Sequence, residues 1–118
     1  MGLTTNFRWG IYLVNLDPVV GSEQGKTRPA LVISEEAINQ ILPIVNILPI
    51  TSRKPNRVVY PNEVLIRENL FGLNHDSVIL CHQVRTVDKS RLIKYIGTID
   101  NLDIQEEILS AIRFQLGI

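Results

Sequence analysis

The amino-acid sequence predicts a β-rich α+β domain, built as a small, strongly bent sheet or barrel with one helix at its C-terminal end. Three observations lead to this fold class. Roughly six short runs of β-forming residues recur along the chain, each bounded by Pro, Gly or polar residues. The final segment instead repeats apolar residues at steps of three or four, as in Ile104, Ile108 and Ala111. A length of 118 residues suits a single domain spanning residues 1–118.

The first strands are predicted at residues 10–16 and 30–34, where apolar, β-forming residues dominate. A helical segment of one or two turns is expected over residues 35–40, with Ser34 as its N-cap. The next strand, residues 42–50, contains two prolines. Because proline lacks the N–H that a central strand uses for pairing, we expect this strand to lie partly at an edge or to be bulged.

Four features are predicted in the second half of the chain. Residues 58–60 and 63–66 flank Pro61-Asn62 and indicate a hairpin or a bent strand. The strongest strand signal covers residues 76–85. A further strand is expected over residues 91–99, after a helical turn at 88–90. Asp100 or Asn101 then caps the terminal helix.

Composition excludes several classes of protein. Twelve Lys and Arg balance twelve Asp and Glu, so the chain is not a polycation that coats nucleic acid by bulk charge, although a local basic groove is compatible with it. No apolar run reaches the ~18 residues of a membrane span, and residues 1–8 lack the character of a signal peptide. The lone cysteine, Cys81, forms no disulfide within the chain. We expect a cytoplasmic protein with no membrane partner.

Two histidines and the cysteine are the residues that suggest chemistry by themselves. His75 and His82 have no third ligand at matching spacing, so we expect no metal or other cofactor. A pair of histidines acting as acid and base is a minor alternative. Cys81 lies in an apolar run, where core packing is favoured over a nucleophilic role, and we expect His82 to point to the opposite face of that strand.

Two polar loops hold five of the twelve basic residues. The first contains Lys26 and Arg28 among hydroxyl and carboxyl side chains, and the second contains Arg53, Lys54 and Arg57. If the adjoining strands are neighbours, the loops converge into a site suited to a phosphodiester, which arginine binds bidentately. Composition by itself favours the other interpretation, in which both loops are simply solvated.

Two ordered motifs resemble the MazF/PemK/Kid family of bacterial toxins. The segment GSEQGKTRPALVI, residues 21–33, resembles the family's loop and second strand, and DSVIL followed by QVRTVDK, residues 76–89, resembles a second family block. Ile50-Thr51-Ser52 lies at a third landmark. The resemblance covers roughly residues 8–117 and both motifs occur at compatible spacing.

This resemblance implies a compact SH3-like β-barrel of the CcdB/MazF type with a C-terminal helix. It implies a homodimeric toxin of a type II toxin–antitoxin system that cleaves single-stranded RNA, often mRNA, at specific sequences without a metal. It also implies that the substrate's own 2′-hydroxyl is the attacking group. A cognate antitoxin would block the cleft with an extended, often acidic, segment.

By position, the resemblance assigns catalytic roles to Arg28 and Thr51, and a functional acidic role to Glu23. We expect Arg28 and Thr51 to stabilise charge on the phosphoryl group, and Glu23 to act as the base. Further residues are expected to bind RNA: Ser22, Gln24, Ser52, Arg53, Lys54, Ser77 and Gln83.

The sequence also departs from the family pattern at its first strand. Trp9 replaces a glycine, Gly10 a carboxylate, and Asn15 an aspartate found in some members. Trp9 is expected to pack on the barrel, with base stacking as the alternative. Two other functions stay open at this point: a catalytically weak binding or regulatory member of the family, and a CcdB-like toxin that binds gyrase.

Overall fold

The computed structural model describes residues 6–118, so residues 1–5 of the predicted domain and of the segment examined for a signal peptide lie outside the described residues. The elements follow one another as β1 (Gly10–Asn15), β2 (Thr27–Val32), α1 (Glu36–Ile41), β3 (Ile44–Ser52), β4 (Glu63–Ile66), β5 (Ser77–Leu80), a 3-10 turn (Cys81–Gln83), β6 (Arg85–Asp88), a second 3-10 turn (Lys89–Arg91), β7 (Leu92–Thr98) and α2 (Leu102–Leu116).

The strands form a bent antiparallel sheet in the order β4-β5-β3-β2-β1-β7, with β6 also paired to β3. Strand β3 holds the sheet together. One of its edges pairs with β2 over residues 47–49, whereas the other pairs with β6 over 44–47 and with β5 over 50–52. A sheet that changes partner along one strand bends there, and this confirms the predicted β-rich α+β class with its C-terminal helix.

The expectation that the proline-containing strand lies partly at an edge is met at Pro49, although β3 is the central strand of the sheet. Pro49 lies opposite Ala30 of β2. On its other edge, residues 48 and 49 fall between the partners β6 and β5, and so outside both ladders. The change of partner therefore leaves a position on that edge where a proline interrupts no pairing.

The predicted continuous strand over residues 76–85 is also wrong. Strand β5 ends at Leu80, a 3-10 turn covers Cys81–Gln83, and β6 begins at Arg85. Cys81 is buried, as expected, and loss of solvation raises the pKa of its thiol to about 12. The turn redirects the chain from one partner segment of β3 to the other, and apolar periodicity carries no signal for such a turn.

The predicted hairpin at residues 58–66 has one strand, because residues 58–60 are irregular and β4 begins at Glu63. Side chains connect the two arms in place of a backbone ladder. The guanidinium of Arg57 donates to both carboxylate oxygens of Glu63, at 3.0 and 2.7 Å, and the N–H of Tyr60 donates to the same carboxylate at 3.1 Å.

Ser34 is not the N-cap of helix α1, because the helix begins one residue later than predicted. Glu35 occupies the N-cap position and makes no side-chain capping bond. The Ser34 hydroxyl instead donates to Oδ1 of the buried Asn39, at 2.5 Å, and accepts from the N–H of Asn46. Ser34 therefore ties α1 to β3 and does not cap the helix.

Helix α2 is capped as predicted, with the Asn101 side chain accepting a hydrogen bond from the N–H of Ile104. Its Ile108 and Ala111 are buried in a core cluster that includes Leu48 and Ile79 from the sheet. A second core cluster contains residues of β1, β2, β3 and β6. Within residues 6–118, no helix combines the length and hydropathy needed to cross a bilayer.

Candidate functional site

Two surface grooves meet at Arg28, Thr51 and Ser52. Groove 1 lies beside the two polar loops and is lined by Ser22, Gln24, Arg28, Thr51, Ser52, Arg53, Lys54, Pro55, Arg57, Leu80, His82 and Gln83. Groove 2 runs towards β7 and includes Lys26, Arg28, Thr51, Ser52, Asn74, His75, Ser77, Lys94 and Tyr95. The predicted convergence of the two loops is therefore observed.

Sheet register brings Arg28 and Thr51 together. The neighbouring strands β2 and β3 pair Ala30 with Pro49, and two further steps along each strand lead to Arg28 and Thr51. Since side chains repeat on one face every second residue, both side chains lie on the face that Ala30 and Pro49 share. The Arg28 Nε donates to the carbonyl of Gly25 at 3.0 Å, which orients the half-buried side chain beside its own loop.

The grooves are strongly cationic although the whole chain is neutral. Six of the twelve basic side chains line them, namely Lys26, Arg28, Arg53, Lys54, Arg57 and Lys94. Among the described residues that line these two grooves there is no Asp or Glu. The potential along the grooves therefore favours a polyanion.

Gln83 holds the first polar loop in place. Its side-chain oxygen accepts from the N–H of Gln24, and its side-chain nitrogen donates to the carbonyl of Ser22, both at 3.2 Å. Ser22, Gln24 and Gln83, which the sequence assigns to RNA binding, all line groove 1. Because Gln83 bonds to the loop backbone, it also sets the position of that wall.

Glu23 is not among the residues that line either groove. Its carboxylate accepts from the N–H of Val20 at 2.6 Å, which closes the turn that begins the loop. The side chain borders an adjoining depression that also contains Ser22, His82, Gln83 and Arg85. The structure therefore brings Arg28 and Thr51 together and places Glu23 beyond Ser22 and Gln83.

Ser52 and Ser77 face each other in the register of β3 and β5. Ser77 is 5% exposed, and its hydroxyl donates to the carbonyl of His75 at 2.8 Å, so it forms part of the floor of groove 2. Ser52 is exposed at the junction. Arg53 donates to the carbonyl of Arg57, and Lys54 is exposed, so both bound groove 1 from the second loop.

Sequence reasoning missed the carboxylate behind groove 1. Glu63 is buried, and its side chain is bonded to Arg57. The hydrogen bonds from Arg57 lower the pKa of Glu63, and the same contact raises the pKa of Arg57. His82 was considered only with His75, as a metal ligand or an acid–base pair, and its position at groove 1 was not predicted because the 3-10 turn brings it there. No pattern in the sequence signals this turn.

The first-strand departures have separate structural explanations. Trp9 adopts a φ of 67°, in the left-handed region that favours glycine, and packs against the core beneath the Arg8 guanidinium. This agrees with the packing interpretation. A Cβ at Gly10 would lie 2.9 Å from the carbonyl oxygen of Phe7, so this backbone has no room for a side chain. Asn15 is exposed and accepts a hydrogen bond from the N–H of Asp17.

His75 and His82 border different grooves. Within residues 6–118, no group of three or more His, Cys, Asp or Glu side chains is arranged to hold a metal ion.

Comparison with known proteins identifies the family. Residues 7–116 match the family described as PemK-like, MazF-like toxin of type II toxin-antitoxin system. The chain is 38% identical over 111 residues to "Endoribonuclease MazF" of Staphylococcus saprophyticus subsp. saprophyticus, an alignment covering 94% of this chain and 91% of that protein.

Solved structures give the same result. The crystal structure of MazF (Form-I) from Deinococcus radiodurans has a TM-score of 0.78 and 30% identity, covering 94% of this chain and 96% of that one. A MazF chain in a MazE-MazF crystal structure (Form-II) from the same organism has a TM-score of 0.69 and 28% identity, covering 99% of each chain. These similarities confirm the CcdB/MazF-like fold and do not favour the gyrase-binding alternative. The chain belongs to the PemK-like, MazF-like toxins of type II toxin–antitoxin systems, and its function class is that of the family's endoribonuclease toxins.

Proposed function

We propose that this protein, as one toxin domain over residues 1–118, cleaves single-stranded RNA, including mRNA, at specific sequences by attack of the RNA's own 2′-hydroxyl, without a metal. The observation that carries the proposal is the position of Arg28 and Thr51 at the junction of two cationic grooves. An extended polyanion fits such grooves, because basic side chains along its path contact successive phosphates.

The reaction follows from the groups at the junction. The 2′-hydroxyl loses its proton and its oxygen bonds to the adjacent phosphorus, while the bond from phosphorus to the 5′-oxygen breaks. The base takes the proton of the 2′-hydroxyl, and the departing 5′-oxygen takes a proton from solvent water, so the products are a 2′,3′-cyclic phosphate and a 5′-hydroxyl. Negative charge grows on the phosphoryl oxygens during this step, and the Arg28 guanidinium and the Thr51 hydroxyl stabilise it by hydrogen bonding. Arginine stays protonated, so Arg28 acts as a donor and not as the base.

Glu23 is the residue expected from the sequence to act as the base. Its carboxylate is bonded to the N–H of Val20 and borders the neighbouring depression. To accept a proton from a 2′-hydroxyl at the junction, the turn over residues 20–23 must open. Arg28 and Thr51 require no such movement, and they are the stronger catalytic assignments.

The remaining RNA-binding assignments divide by location. Ser22, Gln24, Gln83, Arg53 and Lys54 contact RNA along groove 1 in this proposal. Ser52 contacts it at the junction, and Ser77 supports the floor of groove 2. Groove 1 has the amides of Gln24 and Gln83 on the side of the first loop and the charged donors Arg53 and Lys54 on the side of the second, an arrangement that suits both the base edges and the phosphates of single-stranded RNA.

The partners in this proposal are an RNA substrate, an antitoxin and a second copy of the toxin. The related Deinococcus protein crystallised as MazE-MazF. A cationic groove with no lining carboxylate among the described residues would accept an extended acidic antitoxin segment in place of RNA. The proposal places the protein in the cytoplasm, where its mRNA substrate is found.

The decisive experiment incubates purified protein, in EDTA, with a long single-stranded RNA and with DNA of the same sequence. Cut positions and end groups are mapped for the wild type, Arg28→Ala and the control Arg113→Ala, which removes an exposed arginine of α2. We expect discrete cuts in RNA only, with cyclic-phosphate ends, abolished in Arg28→Ala and retained in Arg113→Ala. Cleavage that needs a metal, or that persists in Arg28→Ala, would contradict the mechanism.

One alternative stays open, a catalytically weak family member that acts by binding. It predicts RNA or antitoxin binding without cleavage by folded protein. Inhibition of gyrase that Arg28→Ala leaves intact would instead support the gyrase-binding function. The same protein samples therefore distinguish RNA cleavage, binding without cleavage and gyrase inhibition.

A further inference from the structure

His82 occupies an unusual position behind groove 1. It lies in the 3-10 turn after β5 and borders both groove 1 and a separate depression formed by Arg57, Tyr60, Glu63 and Phe114. Its Nδ1 lies 3.9 Å from Oε2 of Glu63. The His82 side chain is 32% exposed, whereas that of Glu63 is 2% exposed. The imidazole thus separates a buried carboxylate from the groove.

The carboxylate beneath the ring is fixed and charged. Glu63 accepts two hydrogen bonds from Arg57 and one from the N–H of Tyr60, and these bonds outweigh burial and keep its pKa low. Because the ring turns Nδ1 towards Glu63, Nε2 lies on the opposite side of the ring. At 3.9 Å this contact is an ion-pair distance and not a hydrogen bond, and Nε2 is a donor beside it only when the ring carries both protons.

The other charged groups around His82 are mostly cationic. In groove 1 these are Arg28, Arg53, Lys54 and Arg57. In the depression shared with Glu23 the further cation is Arg85. The carboxylates bordering these surfaces are Glu23 and Glu63, and Tyr60 adds a phenol. A phosphate group that enters groove 1 can therefore interact with these cations and with His82 together.

We propose that His82 is a substrate-contacting residue of groove 1, donating Nε2–H as an imidazolium to a phosphate oxygen of the RNA, and that Glu63 is its positioning residue. This inference rests on the proposed function, because it assumes that RNA occupies groove 1. It predicts that RNA binding is coupled to uptake of a proton by His82. The contact is therefore stronger at pH 6 than at pH 8, since imidazole side chains change charge in this range.

The test uses the RNA sequence found by cleavage mapping, with a 2′-deoxy nucleotide at the scissile position so that the bound complex persists. Dissociation constants are measured between pH 6 and pH 8 for the wild type, His82→Gln and Arg113→Gln. Arg113 is exposed on α2 and lines neither groove, so it serves as the control. We expect the wild type and Arg113→Gln to bind about tenfold more tightly at pH 6, and His82→Gln to lose most of this gain.

A spectroscopic measurement separates contact from positioning. With ¹⁵N-labelled histidine, the analogue should shift the ring nitrogens of His82 towards the imidazolium signature. Glu63→Gln should alter the His82 ring signals in free protein and leave those of His75 unchanged.

The outcomes distinguish the two levels of proposal. If the wild type neither binds nor cleaves RNA, the proposed function fails, and this inference fails with it. If the wild type cleaves RNA but His82→Gln keeps the same pH dependence of affinity, or if the analogue leaves the His82 signals in place, this inference alone is overturned.

Discussion

The side-chain oxygen of Gln83 accepts a hydrogen bond from the backbone N–H of Gln24, at 3.2 Å, across 59 residues of sequence. The two sequence motifs that identify the family therefore meet in space. One supplies the loop and Arg28, and the other supplies the side chain that holds that loop. The groove is consequently shaped by a contact between the motifs as well as by the residues that face solvent.

We expect Gln83→Ala to lower RNA cleavage roughly tenfold while reducing the free energy of unfolding by no more than about 1 kcal/mol, because two hydrogen bonds of a part-exposed side chain are lost. Limited proteolysis should show earlier cutting within residues 20–26. Gln115→Ala, which removes an exposed amide of α2, is the matched control. Unchanged proteolysis together with reduced cleavage would mean that Gln83 acts on RNA and not through the loop.

The Thr51 hydroxyl is expected to be required for cleavage. Thr51→Val keeps the β-branched shape suited to β3 but removes the donor, and cleavage should fall by about 10²-fold, as for loss of one transition-state hydrogen bond. Thr51→Ser should keep most of the activity. Thr86→Val, on an exposed position of β6, controls for the loss of a strand hydroxyl. Equal activity of Thr51→Val and Thr51→Ser would remove Thr51 from the mechanism.

The Arg57–Glu63 pair should make stability depend on pH. Its contacts lower the pKa of Glu63 in the folded protein from the ordinary value of 4.5. Folding is therefore favoured by the ionised carboxylate above pH 4.5, and this contribution is lost as the pH falls through the lowered pKa. Urea unfolding at pH 7 should show Glu63→Gln less stable by about 2 kcal/mol, with a difference that shrinks in acid.

The control for this pair is Glu106→Gln, which removes an exposed partner of Arg113 on α2. It should change the free energy of unfolding by less than about 0.5 kcal/mol at every pH, as for other exposed ion pairs. A Glu63→Gln protein whose deficit stays constant from pH 7 to pH 3 would contradict the assigned role.

Cys81 should be chemically inert in the folded protein. It is fully buried, and burial raises the pKa of its thiol to about 12, so almost no thiolate is present at pH 8. A disulfide reagent at pH 8 should label it only as fast as the protein unfolds, and addition of urea should restore a free thiol's rate. Rapid labelling of the native protein would show that the turn over residues 81–83 opens.

Gly97 should tolerate no side chain. A Cβ there would lie 2.1 Å from the carbonyl oxygen of Phe71. Gly97→Ala therefore forces β7 away from the backbone at Phe71, and we expect the free energy of unfolding to fall by roughly 3 kcal/mol. Gly117→Ala provides the comparison, because Gly117 has a φ of 70° and open space around it. Its cost should be about 1 kcal/mol, from backbone conformation alone. Thermal unfolding measures both, and equal losses would contradict the close contact at Gly97.

Local signals predicted what depends on local structure. Asn101 caps α2 because a capping side chain acts within one turn, and the strands around residues 10–16 and 91–99 follow from runs of β-forming residues. Pro49 indicated an unpaired edge, but not that this edge is the gap between β6 and β5 along the central strand β3. The break at Cys81 was missed because the turn Cys81–Gln83 contains neither Gly nor Pro, the residues that most strongly mark a turn.

The site was predictable to a similar extent. Motif resemblance gave Arg28 and Thr51, and register places them together. It did not give Glu63 or His82, because their proximity depends on a loop and a 3-10 turn closing against each other. Motif resemblance also did not predict that Glu23 lies outside the grooves. The direction of this exposed side chain is set by its hydrogen bond from the N–H of Val20.

The central place of β3 gives the site two walls with different dynamics. Thr51 belongs to a strand bonded to three others, so its surroundings should exchange their amide hydrogens only when the whole molecule unfolds. The loop over residues 20–26 is tied to Gln83 by two bonds and should exchange by local opening. A ligand can then reshape the loop wall around different RNA sequences while Thr51 stays still. Differences among related toxins in the RNA sequence that they cleave would therefore arise in the loop over residues 20–26. The cleavage chemistry would depend on β3.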